Sequence, residues 1–512
     1  MADRRAAAPL TLAIDLPDEA ATTRLAEDIA LTLRAGDAIR LEGDLGAGKT
    51  SFARALLRSL ADDPYLEVPS PTFTLVQTYE FAQLNVAHFD LYRLGGPDEL
   101  EEIGFDDAIR TGAALIEWPE RAEDAAPADA LTIALAFTSD PGARLARIEA
   151  PGDWAGRLVR TRAVRAFLDR SGWALAARRA LKSDASARSL ERIRLGTETR
   201  VLMNHPPETD DAAGRARRAA RAEARLAEDT RAFVAIARGL AARGFSAPRI
   251  DAHAACEGLI LMEDFGNAFI AEAGEPVEAR YLAAVDVLAD LHGLDLPARL
   301  PDDAGGTYAL PAYDLDDLRI QLEPFLDWAM PHLLGRAATP EERGSFVAAW
   351  RPCLAEVLAG PRSWALRDYH SPNLMWLADR AGSARIGLLD FQDAVLLHPA
   401  YDLASLAEDA RVTIAPALEE RLVAHYIARR SAADPGFAPE AFRRAYAILA
   451  AQRATRILGI FARLSRRDGR PAYLAHYPRI LAYLARALQA PVLAEVRAWM
   501  ERHVAVAFPT LT

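Results

Sequence analysis

Short apolar runs alternate with amphipathic stretches over the first third of the chain. The runs TLAIDL, DAIRLEGD, VAHFDLYRL, AALIEWP and LTIALAF have the pattern of β-strands, and RLAEDIALTLRAG and SFARALLRSLA have helical spacing. Because the strands alternate with helices, we expect a mostly parallel sheet. The segment 138–160 carries Gly, Pro and Asp and predicts a last strand followed by a linker.

Helical periodicity dominates the rest of the chain. RTRAVRAFLDRSGW predicts a helix that ends at Gly172, a hairpin follows at 183–204, and the Ala/Arg-rich stretch 211–243 predicts further helix. LILMEDFG (259–266) has the pattern of a strand that leads into a hinge, and 364–395 that of a loop-and-strand insert.

Composition restricts the class of protein. The chain has 512 residues, a net charge of −12 and only two cysteines, Cys256 and Cys353, which argues against a disulfide framework, a zinc cluster and a broad basic face for nucleic acid. The apolar run near the N-terminus is broken by Pro9 and stops at Asp15, so we do not interpret it as a signal peptide. No stretch is long enough for a membrane span, and we expect a cytoplasmic protein.

A phosphate-binding loop lies between a predicted strand and a predicted helix. GDLGAGKT (43–50) matches G-x-x-x-x-G-K-[ST], in which backbone N–H groups surround phosphate, the lysine reaches the β/γ oxygens and the hydroxyl binds Mg²⁺. The chain has only two lysines, and Lys49 is one of them. The predicted nucleotide-binding residues of the loop are Gly43, Asp44, Leu45, Gly46, Ala47, Gly48, Lys49 and Thr50.

Two acidic residues follow apolar strands at the positions that a phosphate-binding loop requires. Asp90 follows the apolar start of VAHFDLYRL and Glu117 follows that of AALIEWP, and each alone is more typical of a turn. Together with the loop, they fit a metal ligand (Asp90) and a metal-site residue that orients the attacking water (Glu117). The segment SPTFTL (70–75) has the composition of a nucleotide-sensing loop.

These motifs, with EEIGFDD and IEWPER, occur in an order and spacing that resemble the TsaE family, the ATPase component of tRNA threonylcarbamoyladenosine synthesis. The resemblance covers nearly all of residues 10–150. It implies that residues 70–74, which include Ser70 and Thr72, act as a switch, that Trp118 lies beside the nucleotide, and that ATP and Mg²⁺ are bound. It also implies a partner, a TsaB/TsaD-like heterodimer, which contacts the tRNA in place of this chain.

A second phosphotransfer motif lies in the C-terminal half. WALRDYHSPNLMWL places Asp368 five residues before Asn373, which is the spacing of a kinase base and a Mg²⁺ ligand. Asp390 follows the apolar run of IGLLDFQD, where a second metal ligand belongs, and HPAYDLA (398–404) comes next.

This ordered set resembles the aminoglycoside phosphotransferase superfamily. SDASARSLER, VLMNHPPE and LRDYHSPNL are most similar to its AmgK branch, whose activity implies an amino sugar substrate, the anomeric hydroxyl of N-acetylmuramate or N-acetylglucosamine. Two alternatives remain: a pseudokinase that acts as a docking module, and a kinase for choline or an aminoglycoside. The expected fold is an α/β P-loop NTPase domain (1–155) followed by an α+β bilobal kinase-like domain (156–512), with lobes at about 160–265 and 266–512.

The lysine that kinases usually carry on their third strand has no counterpart here, because Met203 lies near the expected position. The alternatives are Lys182, an arginine (Arg188 or Arg192), or an inactive domain, and a plain exposed Lys182 is equally compatible with the sequence. Backbone groups from Asp184 to Ser186 are further candidates for phosphate binding.

Several aromatic and histidine residues are expected to have structural roles in preference to chemical ones. His370 is expected to brace its loop, and His88 and Tyr92 to pack beside Asp90. Tryptophans 173, 328, 350 and 376 are core candidates, one of which is in principle able to stack on a sugar.

Overall fold

A computed structural model describes residues 9–94, 98–122, 127–181, 188–303 and 305–505. The chain divides into two compact units. Unit 1 comprises residues 1–206 and 252–261, and unit 2 comprises residues 207–251 and 262–512. No helix of the described residues is long and apolar enough to cross a membrane.

Unit 1 begins with a seven-stranded sheet in the order β1-β7-β6-β2-β5-β4-β3. Its elements are β1 (Leu10–Leu16), α1 (Glu19–Ala30), β2 (Ala38–Glu42), α2 (Lys49–Ala61), β3 (Val76–Glu80), β4 (Asn85–Asp90), α3 (Asp98–Glu102), α4 (Phe105–Thr111), β5 (Ala113–Glu117), β6 (Leu131–Phe137) and β7 (Arg144–Ala150). The four central strands β6, β2, β5 and β4 are parallel, whereas β1, β7 and β3 pair antiparallel. The predicted parallel arrangement therefore holds for the centre, and the edges make the sheet mixed.

A long helix follows this sheet where the sequence predicts a linker. The helix α5 (Asp153–Arg170) begins directly after β7, and the predicted domain boundary at 155/156 falls inside it. Its apolar positions explain why it is ordered, since Trp154 and Leu158 are buried among residues of the first sheet. The linker prediction is wrong from Asp153 onward because Gly152 and Pro151 mark a helix start and not an unstructured connection.

Three antiparallel strands of unit 1 follow α5. The strands β8 (Ala177–Leu181), β9 (Ser189–Leu195) and β10 (Glu198–Asn204) run next to one another, and the predicted hairpin at 183–204 is confirmed for its described part. The complete sheet has the order β11-β12-β10-β9-β8, and the chain crosses between the two units within β11 (Ile250–Ala254) and β12 (Leu259–Glu263).

Unit 2 is mainly helical. Before β11 it contains α6 (Ala212–Glu223) and α7 (Arg231–Ala241), so the stretch predicted as helix at 211–243 is two helices. After β12 come β13 (Ala271–Glu272), β14 (Glu275–Pro276), α8 (Glu278–Leu291), β15 (Arg299–Pro301), β16 (Thr307–Ala309), α9 (Leu315–Ile320), α10 (Met330–Leu334), α11 (Pro340–Ala359), β17 (Ser363–Ala365), β18 (Leu374–Trp376), β19 (Ile386–Leu388), β20 (Val395–Leu397), α12 (Ala400–Ala407), α13 (Pro416–Ala433), α14 (Pro439–Arg466), α15 (Tyr477–Ala487) and α16 (Ala494–Val504).

The helix α14 is the central element of unit 2. Most of its 28 residues are buried, and it packs against α12, α15 and a single π-helical turn at Phe325–Ala329. Gly459 of α14 faces that turn so closely that a Cβ atom there would overlap the backbone of Pro324 and Phe325. The absence of a side chain at position 459 therefore permits the helix to approach the turn.

We predict that Gly459→Ala lowers the free energy of unfolding by about 1–3 kcal/mol, because neither backbone segment yields as a flexible side chain does. Gly344→Ala is the matched control, since Gly344 also lies in a helix but has open space around its Cβ position. Urea denaturation of the full chain measures both. Equal midpoints for the two variants would contradict the packing argument.

Candidate active sites

The first candidate site lies where the parallel strands of unit 1 end. The phosphate-binding loop connects β2 to α2, and Gly43, Gly46 and Gly48 all have positive φ, between 80° and 132°. At Gly43 a Cβ atom would also overlap the carbonyl oxygen of Leu135 on β6. The glycine spacing read from the sequence thus corresponds to backbone angles that other residues rarely adopt.

Lys49 is held inside the loop that it terminates. Its ammonium donates to the carbonyl oxygens of Gly43 (2.6 Å) and Asp44 (3.0 Å) and lies 3.6 Å from the ring centroid of Trp118. Burial lowers the pKa of Lys49, and the nearby carboxylate of Glu117 opposes that shift. A partly desolvated cation in a cradle of backbone groups is suited to bind an anion such as a phosphate.

Asp90 and Glu117 meet at the same edge of the sheet. They are the last residues of the parallel neighbours β4 and β5 and are register partners. Both side chains are buried, and the Thr50 hydroxyl donates to Glu117 Oε2 at 2.9 Å. The structure therefore brings together the three residues that the sequence predicts as ligands of the first metal ion.

The predicted switch segment contacts this acidic pair. The hydroxyl groups of Ser70 and Thr72 both donate to Asp90 Oδ2, at 2.9 Å and 2.7 Å. Phe73 of the same segment is 81% exposed, although it is a large apolar residue, and the guanidinium of Arg93 lies over its ring. Two hydrogen bonds thus connect Asp90 to an exposed surface segment.

His88 and Tyr92, which the sequence predicts as packing residues beside Asp90, each contact a residue of the site. His88 is fully buried, and its Nε2 lies 2.9 Å from Glu117 Oε1, so that both oxygens of Glu117 have a partner. The ring of Tyr92 lies 4.9 Å from that of Trp118. His88 and Asp90 share a face of the sheet because they lie two residues apart on β4, and the sequence did not identify Glu117 as the partner of His88.

The second candidate site is built from three short segments of unit 2. Asp368 follows β17, Asn373 ends a 3₁₀ turn, and Asp390 follows β19 with φ at 56°. The Asn373 side-chain amide donates to the carbonyl oxygen of Asp368 (2.9 Å) and to Asp390 Oδ2 (3.4 Å). The structure thus brings together the three residues that the sequence selects for this site.

Two buried carboxylates hold the loop that carries Asp368. Asp402 accepts hydrogen bonds from the backbone N–H groups of Leu366 (2.6 Å) and Arg367 (2.9 Å), and Asp409 accepts one from the N–H of Ser371 (2.8 Å). The left-handed φ of 70° at Arg367 shows that this loop is strained and is held by such contacts. HPAYDLA contains Asp402, but the sequence did not reveal its contact with residues 366 and 367.

Positive charges surround Asp368. Burial alone would raise the pKa of its carboxyl group, but the protonated ring of His370 and then the guanidinium groups of nearby arginines outweigh burial and hold the pKa below its usual value. Burial lowers the pKa of His370 itself, so the arginines supply the positive charge at neutral pH. One of these arginines is Arg456 of α14, whose Nη1 donates to the hydroxyl of Tyr401 (3.0 Å). Sequence reasoning missed Arg456 because it lies 88 positions after Asp368 and belongs to no local motif.

The residues proposed in place of the kinase lysine are only partly described. Lys182, Asp184 and Ser186 lie outside the described residues. Arg188 precedes β9, Arg192 lies on β9, and Met203 is buried on β10. The choice among Lys182, Arg188 and Arg192 therefore stays a prediction.

The tryptophans divide into two groups. Trp173 and Trp350 are buried, as expected for core residues. Trp328 is half-buried, and Trp376 is half-buried between two guanidinium groups, those of Arg280 and Arg385, each 5.3 Å from its ring centroid.

Both sites offer oxygen ligands of the kind that Mg²⁺ prefers. The first offers Thr50, Asp90 and Glu117, and the second offers Asn373 and Asp390. Groups of three or more His, Cys, Asp or Glu arranged to hold a metal ion are absent among the described residues, so each site would complete its coordination with phosphate oxygens or water.

Comparison with known proteins gives a match for each half of the chain. The family model for "Threonylcarbamoyl adenosine biosynthesis protein TsaE" matches residues 16–145, and the model for the "Phosphotransferase enzyme family" matches residues 177–439. An N-acetylmuramate/N-acetylglucosamine kinase of Caulobacter vibrioides is 40% identical over 67% of this chain and 96% of its own length.

Two TsaE proteins match the N-terminal part. The tRNA threonylcarbamoyladenosine biosynthesis protein TsaE of Rickettsia felis is 42% identical over 20% of this chain and 61% of its own length. The protein of the same name from Rickettsia typhi is 39% identical over 20% of this chain and 72% of its own length.

Asp402 allows a pH-dependent prediction. Burial raises its pKa to about 7, whereas the pKa of an aspartate in an unfolded chain is about 4. Between these values the folded protein holds a proton that the unfolded chain has lost, so the stability that this proton contributes is lost as the pH rises. Asp402→Asn cannot titrate, and we expect its free energy of unfolding to fall less steeply than that of the natural protein between pH 4 and 7.

Urea denaturation at several pH values measures this difference. Asp379→Asn is the control because Asp379 is exposed in the same part of the chain. If Asp402→Asn and Asp379→Asn show the same pH dependence, Asp402 does not titrate in this range.

Proposed function

Because residues 16–145 of this chain belong to the TsaE family and residues 177–439 to the phosphotransferase enzyme family, we propose that it has two separate ATP-dependent activities. The N-terminal domain hydrolyses ATP in support of threonylcarbamoylation of tRNA adenosine 37. The C-terminal domain transfers the γ-phosphoryl group of ATP to the anomeric hydroxyl of N-acetylmuramate or N-acetylglucosamine, as a step of cell-wall recycling.

The convergence of Asp368, Asn373 and Asp390 is the observation that carries the kinase assignment. In phosphoryl transfer, ATP supplies the phosphoryl group and Mg²⁺ neutralises the charge that develops on it. Asp368 accepts the proton of the sugar hydroxyl, and the positive charges near Asp368 favour the ionised form that this role needs. Asn373 and Asp390 would hold Mg²⁺ in the second site.

The hydrogen bonds of Asp402 keep Asp368 in place. A catalytic base must lie within hydrogen-bond reach of the proton that it accepts, so a fixed backbone before Asp368 supports the rate of transfer. Asp402 and Asp409 are positioning residues in this proposal and do not touch the substrate. The Caulobacter kinase supports the amino sugar as acceptor because it matches this chain along nearly its whole length.

The geometry of the first site supports ATP hydrolysis. Lys49 would neutralise the β- and γ-phosphates, and Thr50 and Asp90 would hold Mg²⁺. Glu117, fixed by His88, would contribute to the metal site and orient the attacking water. Ser70 and Thr72 bind Asp90 and thereby connect the state of the metal site to the exposed switch segment.

We further propose that this switch segment belongs to the surface that contacts a TsaB/TsaD-like heterodimer. The exposed ring of Phe73 supports this proposal because a large apolar side chain at the surface favours contact with another protein. The net charge of −12 favours a tRNA contact that lies mainly on the partner subunits.

We predict that Asp368→Asn reduces sugar phosphorylation about 10²–10⁴-fold, because asparagine cannot accept the hydroxyl proton. Transfer of radiolabelled phosphate from ATP to N-acetylmuramate, N-acetylglucosamine, choline and an aminoglycoside measures the effect and identifies the acceptor. ATP hydrolysis without sugar stays unchanged because the first site is intact.

Asp379→Asn, which alters an exposed aspartate in the same region, should keep natural transfer rates. Sugar phosphorylation by Asp368→Asn at the natural rate would refute the role of Asp368. Transfer to choline or the aminoglycoside alone would refute the sugar assignment while leaving the kinase assignment intact.

Lys49→Ala gives the converse result. We expect it to abolish sugar-independent ATP hydrolysis, since no other lysine is available in the loop, while the sugar kinase keeps its activity. Both activities are measured on the same preparation. Undiminished hydrolysis would show that the phosphate-binding loop is not the ATPase site.

A further inference from the structure

The helix α5 belongs to two hydrophobic cores at once. Its first half contributes Trp154 and Leu158 to the core of the seven-stranded sheet. Its second half contributes Val164, Phe167 and Leu168 to a different core, together with residues of β9, β10 and β12. The segment lies between the two family matches, which end at residue 145 and begin at residue 177.

A buried ion pair network joins the same two parts of unit 1. Arg178 of β8 is 1% exposed, and its guanidinium donates to both oxygens of Glu191 on β9 (2.7 Å and 2.9 Å) and to Asp28 Oδ1 on α1 (2.7 Å). Arg165 of α5 donates to both oxygens of the same Asp28 and to the carbonyl oxygen of Ala176. Asp28 therefore has partners in both α5 and β8.

A second arginine connects β8 with the helix that starts at the phosphate-binding loop. Arg179 donates to Glu27 Oε1 of α1 (2.8 Å) and to the hydroxyl of Ser59 on α2 (3.4 Å), and its Nε lies 3.3 Å from Asp62. The helix α2 begins at Lys49, so one element carries both the P-loop lysine and a contact to β8.

The exposed and the buried contacts of these arginines differ in their contribution to stability. The link to Asp62 is exposed and contributes little, whereas the bonds of Arg178 are buried, and loss of one partner would leave an uncompensated charge. Two parts that share a helix and a buried charge network cannot separate without exposing the apolar face of that helix and the buried charges.

We infer that the ATPase domain and the sheet β8–β10 of the kinase domain form one cooperative folding unit, so that a nucleotide bound at the P-loop also stabilises β8–β10. The physical reason is linkage: a ligand that binds only the folded form stabilises the whole of any unit that unfolds together. This inference goes beyond the two proposed activities and uses the proposed nucleotide site at Lys49.

Hydrogen–deuterium exchange of the full chain tests the inference. In amides that exchange by unfolding of this unit, a non-hydrolysable ATP analogue with Mg²⁺ at 100 times its Kd for the P-loop should slow exchange about 100-fold, in α2 and in β8–β10 alike. Lys49→Ala isolates this effect from binding at the kinase site, because only the P-loop contribution is lost in the variant. The quantity compared is the slowing of exchange by the analogue in the natural protein minus that in Lys49→Ala.

The outcomes are distinct. If α2 is protected in a Lys49-dependent manner and β8–β10 are not, the cooperative unit is refuted and the ATPase assignment survives. If neither region shows Lys49-dependent protection, the proposed nucleotide site fails, and the cooperative unit is then decided by a variant that needs no ligand.

That variant is Leu56→Ala, which creates a cavity in the core of the seven-stranded sheet, where Leu56 is fully buried. Exchange of β8–β10 should accelerate by the same factor as exchange of β2 and β5. Leu175→Ala is the control, because Leu175 is 66% exposed and its truncation leaves no cavity. Acceleration in β2 and β5 with unchanged exchange in β8–β10 would refute the inference.

A variant of Arg178 then tests whether the buried ion pair network carries the coupling between the P-loop and β8–β10. Methionine keeps much of the side-chain length but leaves Glu191 without its buried partner, so the double variant Arg178→Met with Glu191→Gln removes both charges and favours a folded protein. We expect the Lys49-dependent protection of β8–β10 to fall in the double variant while that of α2 persists. Full protection of both regions would show that the coupling does not need Arg178, and would assign it to α5 and the contacts of Arg179.

Discussion

Polar side chains that are removed from water must find hydrogen-bond partners within the protein, and this constraint determines both candidate sites. Glu117 is held by His88 and Thr50, and Asp402 is held by two backbone N–H groups. Each of these carboxyl groups occupies one defined position because a buried polar group without a partner would be costly. The side chains of both candidate sites are thereby held in place by the protein itself.

The two sites share this chemistry but differ in how the fold supplies it. In the first, the ends of parallel strands bring Asp90 and Glu117 together, and a helix beginning at Lys49 adds the cation. In the second, short strands and a 3₁₀ turn supply Asp368 and Asn373, and Asp402 of α12, farther along the chain, holds the backbone before Asp368. Regular β-structure therefore organises one site, and long-range side-chain contacts organise the other.

The extent of sequence prediction follows the same division. The P-loop and the parallel arrangement of the central strands could be predicted because glycine spacing and short apolar runs are local signals. The pairing of His88 with Glu117 and the approach of Arg456 to Asp368 could not, since they depend on contacts between distant segments. Within 138–160 the predicted last strand is confirmed as β7, but the predicted linker is wrong from Asp153 onward for a related reason. The apolar residues of α5 are explained only when both hydrophobic cores are known.

The position of α5 has a consequence for the history of this chain and for attempts to divide it. A simple joining of two genes through a flexible spacer would leave each product free to fold by itself. Here a cut before α5 leaves the N-terminal product without Trp154 and Leu158, and a cut after α5 leaves the C-terminal product without Val164, Phe167 and Leu168. A cut between these two groups divides the helix itself. Expression of either half alone would therefore require a copy of the helix in each.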